Sequence, residues 1–176
     1  GRWAKKRFLP RLLGHRAGVK ALERTVRAAG NMGVTHLSVY AFSTENWKRP
    51  EMEIKGLMSL FRFSLRRKVD EIKRENVRLR FAGKRDNLPP DVADLMDWAE
   101  KETGMNTGLT LVACLNYGGR QEILDGVNEL IAEGRSRPLT EEDLDRKMYL
   151  PDLPPPDLII RTSGEQRLSN FWLWQC

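Results

Sequence analysis

Three short stretches carry the side chains with which this sequence could handle a strongly charged anion. Ser43-Thr-Glu-Asn-Trp-Lys-Arg49, Asn116-Tyr-Gly-Gly-Arg120 and Arg161-Thr-Ser-Gly-Glu-Gln-Arg-Leu-Ser169 each combine arginine with hydroxyl or amide groups. Arginine offers a planar fork of donors matched to phosphate oxygens, and glycine lets backbone N–H groups come close. Such a set suits a diphosphate. A stretch of this kind taken alone is more often a solvated turn, and Gly118-Gly119 reads equally well as a tight turn before a helix. Their weight comes from where they fall, directly after predicted strands.

The elements that would position them follow from periodicity. Ala17, Ala21, Leu22, Val26 and Ala29 recur at helical spacing from His15 to Ala29, with Gly30 and Gly33 as the stop. Val34–Phe42 is β-branched and aromatic, a strand that ends at the polar loop Ser43–Pro50. Met52–Glu75 reads as a long helix with Ile54, Leu57, Met58, Phe61, Leu65, Val69 and Ile72 on one face. Val77–Phe81 alternates as a short strand, and Asp91–Thr103 is a helix behind Pro89-Pro90. Leu109–Leu115 is a nearly continuous apolar run, the mark of a strand covered on both faces. Glu122–Glu133 is helical, and Thr140-Glu-Glu-Asp143 resembles a capped helix start. Pro154-Pro-Pro156 forces an extended linker, after which Asp157–Thr162 reads as a last strand. The alternation predicts an α/β fold with a central, mostly parallel sheet flanked by helices, as a single domain over residues 1–176. In such sheets ligands sit beyond the carboxyl ends of the strands, where all three stretches lie.

Composition narrows the partner. The chain has 30 Lys+Arg against 24 Asp+Glu, and 40% of its 176 residues are apolar, enough for a packed core. The charge is uneven: residues 1–50 hold eleven basic and two acidic side chains, residues 101–176 eight and twelve. A local positive field implies an anionic partner. No apolar run approaches the ~18–20 residues needed to span a bilayer, and no signal-peptide pattern opens the sequence. Cys114, inside an apolar run, and Cys176 form no disulfide framework and suit a reducing compartment. His15 and His36 lack metal-ligand spacing. Phosphate-loop, dinucleotide-turn, nucleophile-elbow and paired-Asp signatures are all missing, against an ATPase, an NAD enzyme, an α/β-hydrolase and a synthase that ionises its substrate through an Asp-rich motif.

Taken in order, Gly-Arg-Trp-Ala4, Gly14-His15-Arg16-Ala-Gly18, Tyr40-Ala-Phe-Ser-Thr-Glu-Asn-Trp47 with Arg49-Pro50, Asn116–Arg120, and Arg161-Thr-Ser-Gly-Glu165 with Arg167 and Ser169-Asn-Phe171 resemble the cis-prenyltransferase family. The likeness is strongest to bacterial undecaprenyl-diphosphate synthases and runs the length of the chain. It implies a cytoplasmic homodimer with an apolar tunnel, transient contact with the inner face of the membrane, and no nucleic-acid partner. The implied reaction condenses isopentenyl diphosphate onto farnesyl diphosphate with Mg²⁺, making cis double bonds in a long polyprenyl diphosphate used as a cell-wall lipid carrier. The resemblance assigns catalytic roles to His15, Ser43 and Asn46. Arg2, Arg11, His15 and Arg49 would hold the allylic diphosphate, with the backbone of Gly1 and the Trp3 side chain beside it. Arg161, Arg167 and Ser169 would bind isopentenyl diphosphate, and Phe42 and Trp47 would pack on the substrate. Glu53 matches a position beside the substrate, and Leu109 one near the tunnel floor. Product length depends on the packing of several tunnel side chains, so no single residue fixes it.

The sequence departs from that pattern at both ends. It starts at the second Gly of a motif that the family writes Met-Asp-Gly-Asn-Gly-Arg-Trp, without the strand before it or the motif's Asp and Asn, and stops before the segment that carries a Mg²⁺-binding Glu. The family's catalytic Asp and that Glu therefore fall outside these residues, and Glu165 alone is a poor metal ligand. These 176 residues on their own are expected to be nearly inactive. Two other readings compete. A basic nucleic-acid-binding module would account for the charge of the first fifty residues, but would spread basic and aromatic residues over a broad surface. A non-catalytic subunit of a heteromeric prenyltransferase would be expected to lose Arg2, Arg11, His15, Asn46, Arg161, Arg167 and Ser169, all of which are present.

Overall fold

In the computed structural model, described for residues 2–134, 137–162 and 164–176 (Arg2 by its backbone alone), helices alternate with parallel strands. The order is α1 (Arg2–Lys5), α2 (Arg11–Asn31), β1 (His36–Ser43), a 3₁₀ turn (Thr44–Lys48), α3 (Glu51–Arg74), β2 (Arg78–Ala82), α4 (Pro90–Thr103), β3 (Thr110–Tyr117), α5 (Gly119–Ala132) and α6 (Glu141–Asp145). The strands form one parallel sheet in the order β1-β3-β2. The central place of β3 explains its uninterrupted apolar run: Leu111, Val112, Cys114 and Leu115 are buried because both faces are covered. The predicted α/β architecture is the one found.

Two clusters cover the two faces. Val26 of α2, Met58, Leu65 and Val69 of α3, and Val92, Met96 and Ala99 of α4 pack with Phe42, Leu79, Phe81, Leu111 and Leu115 of the strands. The stripe expected along α3 is thus core, with Ile54, Leu57, Phe61 and Ile72 at its margin. Leu109 is buried in the same cluster. On the other face Val112, Cys114 and Tyr117 meet Trp172, with Tyr40, Tyr149 and Phe171 around them. Burial pushes the Cys114 thiol well above its usual range.

Helix boundaries shift where local chemistry outweighs apolar period. α2 begins at Arg11 because Pro10 sits at its N-cap, and α3 begins at Glu51 behind Pro50. α5 starts at Gly119, directly after β3. The loop expected at Ser43–Pro50 contains the 3₁₀ turn. One expectation fails: Asp157–Thr162 is not a strand. A strand exists only through its neighbours' hydrogen bonds, and the sheet pairs β1, β3 and β2 alone among the described residues. Leu158 and Ile160 stand outward, 74% and 79% exposed, behind the extended Pro154–Pro156. Among the described residues, no helix is long and apolar enough to cross a membrane.

Candidate functional site

Because the sheet is parallel, β1 and β3 end on the same edge, and the segments that leave them are neighbours. The register of β1 against β3 slips on either side of Phe42, a bulge in the last turn of pleat before Ser43. Bulges re-aim side chains at strand ends. Here Phe42 points into the core and meets Trp47 edge-on, 5.0 Å between ring centroids. The Trp47 indole N–H donates to Asn116 Oδ1 at 2.7 Å. The Asn116 amide in turn donates to the carbonyls of Lys84 and Asp86, at 2.9 and 2.7 Å. Phe42 and Trp47, expected to pack on substrate, are held by the protein itself. Ser43 N–H donates to Asn46 Oδ1 at 3.1 Å, so the Asn46 amide closes the 3₁₀ turn.

At one end of that turn a four-residue cluster forms between two helix N-termini. Glu53, in the first turn of α3, accepts from Arg11 at 2.8 Å and from Arg49 at 3.0 Å. His15 Nε2 lies 4.0 Å from the same carboxylate and is buried with no hydrogen-bond partner among the described residues. α2 and α3 both start here, so the positive ends of two helix dipoles meet at the cluster. Burial works to raise the Glu53 carboxyl, but Arg11 and Arg49 outweigh it and hold the group below its usual range. Burial, with Arg49 and Arg11 nearby, depresses His15 below its ordinary value of 6.5, and Glu53 offsets only part of this. His15 is therefore a neutral imidazole at neutral pH, with one ring nitrogen uncommitted. Arg11 uses one of five donors on Glu53 and remains two-thirds exposed. Glu53 thus fixes the two guanidinium groups without consuming their remaining donors.

The other end of the turn meets the third stretch. Arg161 donates to the Arg167 carbonyl and, at 2.7 Å, to Ser169 Oγ. Glu165 pairs with Arg167 at 3.0 Å. The loop is fastened by Asn170, whose amide donates to Glu45 at 2.6 Å and accepts from Arg120 N–H at 2.7 Å. The Asn170 carbonyl takes the Gly119 N–H at 2.8 Å. The third stretch therefore reaches the same edge without being preceded by a strand. A Cβ on Gly118 would stand 2.5 Å from Thr44 Oγ1 and 2.8 Å from Asn170 Nδ2. Gly118 serves close packing of these two loops, not a positive φ.

Of the expected site residues, Arg11, His15, Arg49 and Glu53 come together, as do Arg161, Arg167 and Ser169. Ser43, Asn46 and Trp47 lie on the turn joining the two groups. Trp3 is half-exposed under the Arg7 guanidinium, 4.4 Å from its ring centre, and borders Gly14. Gly1 and the Arg2 side chain lie outside the described residues. Asn116, Asn170 and Glu45 fall within the quoted motifs, but sequence assigned none of them a role of its own. The signal for Asn116 was present, a polar side chain closing an apolar strand; Asn170 and Glu45 lie too far apart in sequence to be paired. Among the described residues no three His, Cys, Asp or Glu side chains converge on one point. With Glu165 held by Arg167, these residues do not assemble a Mg²⁺ site.

The comparisons with known proteins fit this geometry. Residues 1–176 match the Prenyltransf family, described as "Putative undecaprenyl diphosphate synthase". An isoprenyl transferase of Agrobacterium fabrum is 50% identical over 180 residues, covering 99% of this chain and 73% of the relative. One of Thermotoga maritima is 47% identical, covering 99% and 76%. Lavandulyl diphosphate synthase of Lavandula x intermedia, solved with dimethylallyl diphosphate, superposes with a TM-score of 0.93 at 31% identity, over 99% of this chain and 78% of that one. A probable undecaprenyl diphosphate synthase of Campylobacter jejuni gives 0.82 at 34% identity, over 91% and 76%. A full-length family match, relatives at about half identity and a shared fold agree with the motifs: the chain belongs to the cis-prenyltransferase family.

Proposed function

We propose that the protein condenses isopentenyl diphosphate onto an allylic diphosphate, farnesyl diphosphate, with cis geometry, building a long polyprenyl diphosphate. Undecaprenyl diphosphate, as a cell-wall lipid carrier, is the proposed product. The observation that carries this reading is the pairing of two arginine groups at one sheet edge, Arg11 with Arg49 and Arg161 with Arg167, joined through the Ser43–Arg49 segment. Two diphosphates must lie side by side for the condensation, and two fixed cation groups suit that demand.

In the reaction the terminal π bond of isopentenyl diphosphate attacks C1 of the allylic partner. The C1–O bond breaks, pyrophosphate leaves with the bonding pair, and C2 of the isopentenyl unit gives its proton to a pyrophosphate oxygen as the new double bond forms. Arg11, Arg49 and the helix N-termini stabilise charge gathering on the departing pyrophosphate. Neutral His15 presents its uncommitted nitrogen as acceptor or donor at that group. Arg161 and Ser169 orient the second diphosphate, and the rigid Ser43–Trp47 turn fixes the distance between them. A growing hydrocarbon chain would gain about 0.8 kcal/mol for each methylene buried against apolar side chains.

Mg²⁺ is proposed as cofactor on the family's diphosphate chemistry; no step above runs through it. The homodimer and the cytoplasmic location are likewise proposals. The test is incorporation of labelled isopentenyl diphosphate in the presence of farnesyl diphosphate and Mg²⁺, with products sized by chromatography. Long cis-polyprenyl products support the reading. Binding of neither diphosphate in calorimetry, together with no incorporation, would overturn it.

A further inference from the structure

Near its end β3 carries one residue that pairs with nothing on β1. Cys114 lies opposite Tyr40, Leu115 opposite Phe42 and Tyr117 opposite Ser43, so Asn116 is the extra residue on the β3 side of the bulge. Its φ is +53°, a left-handed conformation that asparagine tolerates better than most residues with a side chain. It is 6% exposed. A bulge that only ended the pairing could be filled as well by glycine. This one turns a buried amide toward two other segments.

Every hydrogen of that amide has a partner within the protein. Asn116 Oδ1 accepts the Trp47 indole N–H at 2.7 Å, and Nδ2 donates to the carbonyls of Lys84 and Asp86 at 2.9 and 2.7 Å. An ionised aspartate has no donor, serine and threonine have one, and glycine has neither group. Both sides of the link are themselves fixed. The Lys84 ammonium pairs with Asp125 of α5 at 3.2 Å. Gly83, at φ +120°, lies so close to β3 that a Cβ there would stand 2.1 Å from the Leu115 carbonyl oxygen. On the other side Trp47 packs against Phe42 and the core, two residues before Arg49. The Arg49 N–H closes the turn on the Asn46 carbonyl at 3.0 Å, and its side chain goes to Glu53.

We propose that Asn116 is a positioning residue for the condensation. By holding the Trp47 indole it fixes where the Ser43–Arg49 turn carries Arg49, and so how Arg49 meets the departing pyrophosphate. This role rests on the prenyl transfer proposed above and adds to it a residue that touches neither diphosphate. Buried, with both amide hydrogens engaged, Asn116 has no donor left for a substrate. An asparagine serving the fold alone could end at the two carbonyls; this one also places its acceptor on the turn that bears the site. Charge on the leaving group develops in the transition state, so loss of the link is felt in turnover more than in binding of the second substrate.

The test joins incorporation kinetics of the full chain, with farnesyl diphosphate, isopentenyl diphosphate and Mg²⁺, to the indole N–H resonances of its five tryptophans in ¹H–¹⁵N spectra. Asn116→Gly removes the amide and leaves the backbone unstrained; Trp47→Phe keeps a ring beside Phe42 and removes only the donor. Each should lower kcat about tenfold, short of the ~100-fold that a full ångström of misplacement costs. The KM for isopentenyl diphosphate should stay within twofold of the parent. The double substitution should be no slower than the slower single one, because both cut the same bond. Asn116→Asp keeps the acceptor for Trp47 but sets a carboxylate against two carbonyls. It should lower the melting temperature more than Asn116→Gly does and kcat less, an order that a purely structural role would reverse. The resonance lost in Trp47→Phe should move upfield in Asn116→Gly while the other four stay, which reads the contact apart from turnover. Trp47→Phe leaves both carbonyl bonds intact, so a kcat within twofold of the parent there would overturn the role even if Asn116→Gly failed to fold. Multiplicative losses in the double substitution, or an unmoved indole resonance, would also overturn it and leave the prenyl transfer standing. A parent protein that neither binds the diphosphates nor incorporates label would overturn both.

Discussion

Asn170 is the residue on which the geometry makes the sharpest demand. Its side chain joins the Arg161–Ser169 loop to Glu45 and, beside the backbone bond from Gly119, to the start of α5, through bonds of 2.6 and 2.7 Å. Its φ is +65°, a conformation asparagine tolerates and alanine resists. Asn170→Gly is therefore the clean perturbation, removing both hydrogen bonds while leaving the backbone unstrained. A hydrogen bond to a carboxylate contributes about 1.5–3 kcal/mol and one between neutral groups about 0.5–1.5. Both pairs are exposed, so the low ends apply, roughly 2 kcal/mol together. At ~1.4 kcal/mol per decade the ordered loop loses about 25-fold in population. Affinity for isopentenyl diphosphate, read by titration calorimetry, should fall by up to that factor. The melting temperature should drop by less than the ~4–8 °C that the same energy would produce globally, because the loop can open on its own. Glu45→Gln should reproduce part of the loss, and the double substitution should be less than additive. An affinity within twofold of the parent in Asn170→Gly would refute the reasoning.

Three further outcomes follow from the same contacts. Glu122 is fully buried and accepts from the Tyr117 hydroxyl at 2.6 Å, the Tyr149 N–H at 3.0 Å and the Gln175 amide at 3.1 Å. Glu122→Ala strands these donors at about 1–3 kcal/mol each, so thermal denaturation should show a loss of roughly 10 °C or more. His15, depressed by burial, binds a proton less readily folded than unfolded. Its contribution to stability is intact at pH 7 and is lost as pH falls below 6.5. In urea denaturation against pH, His15→Gln should flatten that acid slope; an unchanged slope would assign it to other groups. Gly118→Ala drives a methyl group into Thr44 and Asn170, and should weaken isopentenyl diphosphate binding more than it lowers the melting temperature.

What could be read from the sequence was whatever local pattern controls. The apolar run of β3 and the stripe of α3 announced themselves because burial follows a short period. The arginine stretches did so because nothing in a core needs them. Asp157–Thr162 misled for the same reason: Leu158, Ile159 and Ile160 satisfy strand periodicity, yet a strand also requires an edge to pair with, which no local pattern encodes. Asn46 and Trp47 were expected as site residues from sequence; their contacts show them bracing the turn and β3. The roles of Asn116 and Asn170 depend on partners thirty to more than a hundred residues away, beyond the reach of spacing arguments.

The strand order has a consequence for how the chain reaches this state. β1 and β2 are made first, but they cannot pair with each other, since the place between them belongs to β3. Until Thr110–Tyr117 has been synthesised, the backbone groups of both strands and the apolar sides of α2, α3 and α4 have no sheet to close on. Folding is therefore held back until β3 is available, and then proceeds through contacts distant in sequence, a slow topology prone to aggregation. Proteostasis factors would meet a chain whose segments ahead of β3 are committed to helices but not yet to a core.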